Sequence, residues 1–225
     1  MKKLLVVLFI VLSAPFYGQT NFNAGISMGG NDYNYGSTFF YNTRNVIVGS
    51  LYLFEDWNNS AEIHTLSNEI FLVRNINLNI SRNAFEAKLN DSDSIFSFNF
   101  NNIKKILINE KIYKNYFYND DNRVYEIIYE ANKFSIMKGF SVKVISKGAN
   151  PMLNRTNDKY AKFSSYFLKM NNRIKTFRLR KKSIYNLLDN DKEIISKLNY
   201  FINNENLSYK NEDDIVQILN YAFNL

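Results

Sequence analysis

The sequence predicts an α+β protein, with a large antiparallel β-sheet (a roll, sandwich or partial barrel) followed by two C-terminal helices. Three observations carry this. Apolar and polar residues alternate through residues 94–145, and a period of two is that of half-buried strands. Asn, Asp, Lys and Gly interrupt the alternation at short intervals, which makes the strands short and numerous. After Lys182 the period changes: Ile194, Ile195, Leu198, Phe201 and Ile202 recur at helical spacing.

In SIFSFNF the rings of Phe96, Phe98 and Phe100 fall on every second residue and are expected in the core. In VYEIIYE, Tyr125, Ile127 and Tyr129 share one face, and Val124, Glu126, Ile128 and Glu130 the other. Farther on, Phe140, Val142 and Val144 alternate with Ser141, Lys143 and Ile145. Before this run, strands are expected at 46–54, 62–65, 70–74, 76–80 and 84–89, with a turn at 90–92. Within and after it they are expected at 95–99, 106–108, 111–118, 123–130, 134–137, 140–146, 159–169 and 173–179. A loop at 119–122 closes a hairpin, Gly139 separates two strands, and 147–151 is a turn.

The first helix begins at Asn190, with Asn190 as cap and Glu193 reaching back. The second covers residues 212–222 with Ile215, Ile218, Leu219 and Ala222 on one face, and Ser208 or Asn211 caps it. Acids in the first turn of each suit the positive end of the helix dipole.

The chain has 225 residues, enough for one domain with an appendage. Sixteen Tyr and nineteen Phe favour pleated, half-buried surfaces, and two Pro with eight Gly leave no long flexible linker. An A/T-rich coding sequence explains much of the abundant Asn, and turns suit it as well. With no Cys there is no disulfide framework, no thiolate nucleophile and no Cys-ligated zinc.

Residues 1–18 read as a secretory signal peptide: Lys2 and Lys3, then an apolar run from Leu4 to Leu12 too short to span a bilayer. Cleavage is expected to leave Gln19 first. Residues 19–45 form an N-terminal arm, with one weak strand near 38–41. Residues 46–182 form the β-rich body, and 183–225 the helical segment packed on it. No later apolar stretch spans a membrane, so the mature protein is expected to be soluble, in the periplasm or outside the cell.

The net charge is +7 and unevenly spread. Residues 151–183 hold ten Lys or Arg against the single acid Asp158, while residues 184–225 hold three Lys against seven acids. Such segregation points to an anionic partner, or to two segments that face each other. The sharpest feature is IKTFRLRKKS. Lys175, Arg178, Arg180, Lys181 and Lys182 interleave there with Phe177 and Leu179, and form a candidate contact for an anion or partner. The bland reading is an edge strand guarded by cations. The acidic helices are expected to cover this strip in part.

Other chemistry is thin. The chain has no phosphate-cradling Gly loop, dinucleotide fingerprint or HExxH. The single His, His64, sits in EIHTL on an expected strand, and a lone strand His is more often structural than catalytic. The clusters Asp91-Ser92-Asp93, Asp120-Asp121-Asn122 and Asp189-Asn190-Asp191 invite a calcium reading. An EF-hand loop counted from Asp189 would need Gly and Glu where Ile194 and Tyr200 stand, so turns and caps are the better account. No cofactor, metal or specific nucleic-acid partner is expected.

GSLYLFEDWNN, NINLNISRNAFEAKLNDSDSIFSF, VYEIIYEANKFSIMKGF and ANPMLNRTNDKY resemble blocks shared among uncharacterised small exported proteins of flavobacteria. The resemblance covers most of the chain from about Val46 and implies export and a β-rich body. It implies no activity, so no functional residue is carried over. The expected function is that of a non-enzymatic binding or envelope-associated protein acting through a surface, on an anionic envelope component or an acidic protein. The alternative is a hydrolase of a cell-surface polymer that uses a carboxylate pair in a cleft.

Overall fold

The structure, a computed structural model, describes residues 47–89, 94–146, 148 and 157–224. The expected leader, the arm, the turn at 90–92 and, apart from Gly148, the turn at 147–151 lie outside the described residues.

The α+β expectation holds. The strands are β1 (Ser60–Thr65), β2 (Ile70–Arg74), β3 (Ile76–Asn79), β4 (Ala84–Lys88) and β5 (Ile95–Ser97), then β6 (Ile103–Ile108) and β7 (Lys111–Tyr118). They continue with β8 (Asp121–Glu130), β9 (Phe134–Ile145), β10 (Lys159–Met170) and β11 (Arg173–Phe177). Three helices follow: α1 (Lys181–Leu187), α2 (Lys192–Asn204) and α3 (Glu212–Phe223). Eight strands form one antiparallel sheet in the order β11-β10-β9-β8-β7-β6-β1-β2, open rather than closed into a barrel, and β3-β4-β5 form a smaller sheet.

Asparagine shapes the turns. The two-residue connections Asn109-Glu110, Asn119-Asp120 and Asn171-Asn172 all have positive φ at both positions, as the hairpin turn that matches strand twist requires. Of the twelve non-glycine residues with positive φ among the described residues, nine are Asn, so turn conformation, and not base composition alone, accounts for Asn at these positions.

One row of cross-strand partners runs over seven strands of the large sheet: Ile63, Ile106, Tyr113, Glu126, Lys138, Tyr166 and Phe177. Partners in register share a face, so this row defines the covered face. At one end the small sheet lays Ile76, Leu78, Phe85 and Ala87 on Ala61, Ile63, Ile106, Ile108 and Tyr113. At the other, Leu198, Ile202, Ile215, Ile218, Leu219 and Ala222 of α2 and α3 bury against Phe134, Ile136 and Leu168. Each such Ile, Leu or Phe contributes roughly 1.5–3 kcal/mol of burial. The helices are therefore docked by their apolar faces, as their period implies.

Several local expectations are corrected. Of the strand expected at 46–54, the described residues 47–54 form no strand and make isolated bridges, Val48 with Lys159 and Tyr52 with Asn79. Gly49 at φ 102° breaks the extension, and the Asn77 side chain takes up the Phe54 backbone in place of a ladder, accepting from its N–H (3.0 Å) and donating to its carbonyl (3.0 Å). Phe96 is 50% exposed and Phe98 and Phe100 are only half-buried, because β5 has a single neighbour at the edge of the small sheet. The buried ring is Phe85, against Tyr113 at 5.4 Å and Phe100 at 6.0 Å.

A bulge between Ile127 and Tyr129 inserts Ile128, so Tyr129 changes faces and both residues reach the helical core. Gly139 does not end a strand, because β9 runs through it. The strand expected to reach 179 stops at Phe177, and α1 begins four residues on. The cap of α2 is Asp191, not Asn190. Asn190 takes a left-handed φ of 56°, which leaves Asp191 extended with its carboxylate accepting from the N–H groups of Glu193 and Ile194. Asn211 caps α3, as expected, by accepting from Asp214 N–H.

Candidate functional site

The cationic strip lies on an edge. β11 is the outermost strand of the large sheet, with Lys175 opposite Leu168 of β10. Arg178 and Arg180 follow in the connection, and Lys181 and Lys182 open α1. All five side chains are exposed, while Phe177 and Leu179 between them pack on the helical core. Alternation sends Phe177 and Leu179 inward and Arg178 and Arg180 outward, as the sequence implies, whereas Lys175, in register with Leu168, shares the face of Phe177 and is exposed at the sheet edge.

Among the described residues none of the five forms an ion pair. Arg180 Nε donates to Ser183 Oγ (3.2 Å), and Lys181 Nζ lies 5.3 Å from the Tyr185 ring. The first turn of α1 has no acid, and the side chain of its cap, Arg180, makes no bond to the helix backbone. Cations at that end oppose the helix dipole by about 0.3–1 kcal/mol each. Helix stability therefore does not explain their placement.

The acidic helices do not shield the strip, contrary to expectation. Glu212 accepts from Lys138 Nζ (2.8 Å) and from the Tyr166 hydroxyl. Asp214 accepts from Ser208 N–H (2.8 Å), Glu193 pairs with Lys197 (2.8 Å), and Asp191 is spent on its cap. Orphan N–H groups at the start of α2 hold Asp191, and side chains or the Ser208 N–H hold the other three where they are.

The buried carboxylates are already engaged. Glu126, 4% exposed, accepts from Lys111 Nζ at 2.7 Å. Glu86 accepts from the Tyr52 hydroxyl (2.7 Å), Asn79 Nδ2 (3.2 Å) and Arg82 Nη1 (3.3 Å). Burial pushes the Glu212 carboxyl up, yet the bonds from Lys138 and Tyr166 prevail and hold it below its usual range. A general acid needs the opposite shift and an open face toward substrate.

The His64 ring has one polar side-chain partner among the described residues, Glu62 at 3.3 Å. No group of three or more His, Asp or Glu among the described residues is placed to hold a metal. Asp120 and Asp189 sit in left-handed turns and Asp191 is a cap, while Asp91 and Asp93 lie outside the described residues.

Two openings were not foreseen. A cavity of about 550 Å³ lies where the β8–β9 and β10–β11 turns meet the ends of α1 and α3, walled by Phe134, Met170, Leu187 and Phe223 with Lys133 and Asp189. A second, of about 190 Å³, lies between β8 and β9 beside Arg123, Tyr125, Gly139, Ser141, Ser165 and Phe167. Glu86, Glu126 and Glu212 line neither. Sequence reasoning missed both because their walls come from segments that only strand pairing brings together.

No protein-family model matches the chain, and no curated protein and no solved structure matches it. No helix among the described residues is long and apolar enough to cross a membrane.

Proposed function

We propose that this chain is a non-enzymatic, exported binding module that meets an anionic envelope component through the cationic sheet edge at Lys175, Arg178, Arg180, Lys181 and Lys182. One observation carries the reading: five exposed cations follow one another on an edge strand and the helix after it, with no acid paired to any of them among the described residues. A cation near an anionic leaflet contributes about 1 kcal/mol. Five together are enough for a salt-sensitive surface contact without a deep pocket. Export rests on the short apolar run behind Lys2 and Lys3.

The test is co-sedimentation with vesicles of phosphatidylglycerol and phosphatidylcholine, against phosphatidylcholine alone, over a salt series. Binding to the anionic vesicles is expected to fall steeply with salt. Reversing all five cations to Glu should reduce it by about a hundredfold or more, with an unchanged melting temperature as the control for folding. Equal binding by the reversed variant, or equal binding to both vesicles, overturns the proposal. Salt-sensitive binding to an acidic protein without vesicle binding transfers the strip to a protein partner and overturns the envelope assignment. Export is checked by N-terminal sequencing of exported material, expected to begin near Gln19; an intact Met1 in the cytosolic fraction overturns it.

A further inference from the structure

The β8–β9 ladder ends at Tyr125 opposite Gly139. Beyond that pair β8 continues on β7 alone, with Val124 opposite Asn115 and Arg123 opposite Tyr116. β9 continues on β10 alone, with Phe140 opposite Ser164 and Ser141 opposite Phe163. The sheet therefore divides between β8 and β9, and the cavity of about 190 Å³ fills the division. Registers place Tyr125, Gly139 and Ser165 in one row. Arg123, Ser141 and Phe167, each two residues along its strand, share that face. That face is opposite the one that carries the small sheet and the helices, and Val124, Phe140 and Asn83 of the β3–β4 turn line the cavity from the covered side.

The walls are fixed. A Cβ on Gly139 would stand 2.9 Å from the Phe167 ring and 3.1 Å from the Tyr125 ring, so the glycine is what lets the two rings close over the strand. They meet edge to face at 5.3 Å, and Tyr118 packs on Phe167 at 5.6 Å.

Within this frame two donors have nothing to donate to. Arg123 Nε and the Tyr125 hydroxyl are buried without a hydrogen-bond partner among the described residues, and Tyr125 is 1% exposed. No carboxylate among those residues pairs with Arg123. Burial pushes the Tyr125 hydroxyl up to about 12 even though Arg123 opposes the rise, so at neutral pH it keeps its proton and remains a donor. Buried polar atoms are rarely left unmatched, and leaving one costs about 1–3 kcal/mol. The hydroxyl-bearing residues Ser141 and Ser165 line the same space. A surplus of donors calls for a ligand that only accepts, and a planar guanidinium matches a carboxylate in shape and charge. The Phe167 ring suits an apolar group attached to it.

We propose that the division between β8 and β9 is a binding site for a small carboxylate on a short apolar or aromatic body, held by Arg123 and Tyr125 with Ser141 and Ser165 on its wall. The site is separate from the cationic edge and does not depend on that reading.

Thermal unfolding of the full chain tests it, with sodium benzoate and sodium acetate compared with sodium chloride and inorganic phosphate at equal ionic strength. Benzoate is expected to raise the melting temperature in a saturable way, acetate less so, and chloride and phosphate little. Tyr125→Phe should melt at or above the temperature of the unsubstituted protein without ligand, because it removes an unmatched hydroxyl, and should bind benzoate about tenfold more weakly. Arg123→Gln should abolish the benzoate shift; if it fails to fold, Tyr125→Phe still decides the matter. A benzoate shift unchanged in Tyr125→Phe, an equal shift with chloride or phosphate, or no saturable shift with either carboxylate overturns the proposal.

Discussion

Lys138 and Glu212 stand 2.8 Å apart, and theirs is the one ion pair among the described residues that joins a helix to the sheet. Lys138 lies in the covered row between Glu126 and Tyr166, and Tyr166 donates its hydroxyl to the same Glu212. The charge that the helices bring to the sheet is thus applied between the two apolar cores and not at the cationic edge.

On the acid side, Glu212 titrates below its usual range: burial raises it, and Lys138 and Tyr166 more than offset that. A carboxylate depressed by folding contributes stability above its unfolded value, and that stability is lost as pH falls through the folded value. Glu212→Gln should therefore destabilise the protein at neutral pH, by about 1–3 kcal/mol for a charged hydrogen bond. The difference from the unsubstituted protein should shrink below the carboxylate range. Urea melts over a pH series measure both, and a difference that stays constant into acid would assign the effect to packing.

On the alkaline side, burial first, then the Glu86 bond, pushes Tyr52 up to about 12, and burial lifts Tyr116 and Tyr125 to about 12 as well. A phenol raised by folding contributes its stability below the ordinary value of 10.0, and that stability is lost as pH climbs toward 12. Alkaline unfolding should start as exposed tyrosines ionise, and tyrosinate absorbance should show a late cooperative phase that coincides with loss of the sheet signal in circular dichroism. Smooth titration of every tyrosine before unfolding would contradict it.

Core truncations should rank by burial, not by ring size. Leu198→Ala, in the helical core, should cost about 2–5 kcal/mol, whereas Tyr200→Ala, 71% exposed two residues on, should stay within about 0.5. In the small sheet, Phe85→Ala should cost about 3–5 kcal/mol, with Phe98→Ala intermediate and Phe96→Ala smallest. Denaturant midpoints at constant slope measure the order, and equal losses at Phe85 and Phe96 would show that β5 is covered.

The Asn119-Asp120 turn holds two non-glycine residues at φ 50° and 59°. Asp120→Gly removes a Cβ from the left-handed region and should stabilise by about 0.5–1 kcal/mol, net of the entropy lost from the unfolded chain. Asp120→Val should lower stability, because a β-branched residue resists that region. If Asp120→Gly is neutral in thermal melts while Asp120→Val destabilises, backbone freedom and strain relief cancel at this turn.

The alternating pattern, the helical period after Lys182 and the turn residues determined the fold class and most element positions. β2 and β7 are bounded as their sequence implies, because strand pleat, helix pitch and left-handed turns act between near neighbours. The inward packing of Phe177 and Leu179 and the exposure of the cations among them were determined the same way. Pairing over long separations decided the rest. It made β5 an edge, which uncovered Phe96, and let the bulge at Ile128 turn Tyr129 over. It also ended the β8–β9 ladder at Gly139, which left Arg123 and Tyr125 beside an open space. Whether a polar atom is matched depends on what the whole chain places within about 3 Å of it, and no local period carries that information. For the same reason Glu212 pairs with Lys138, 74 residues earlier, and not with the cations nearer to it in the chain.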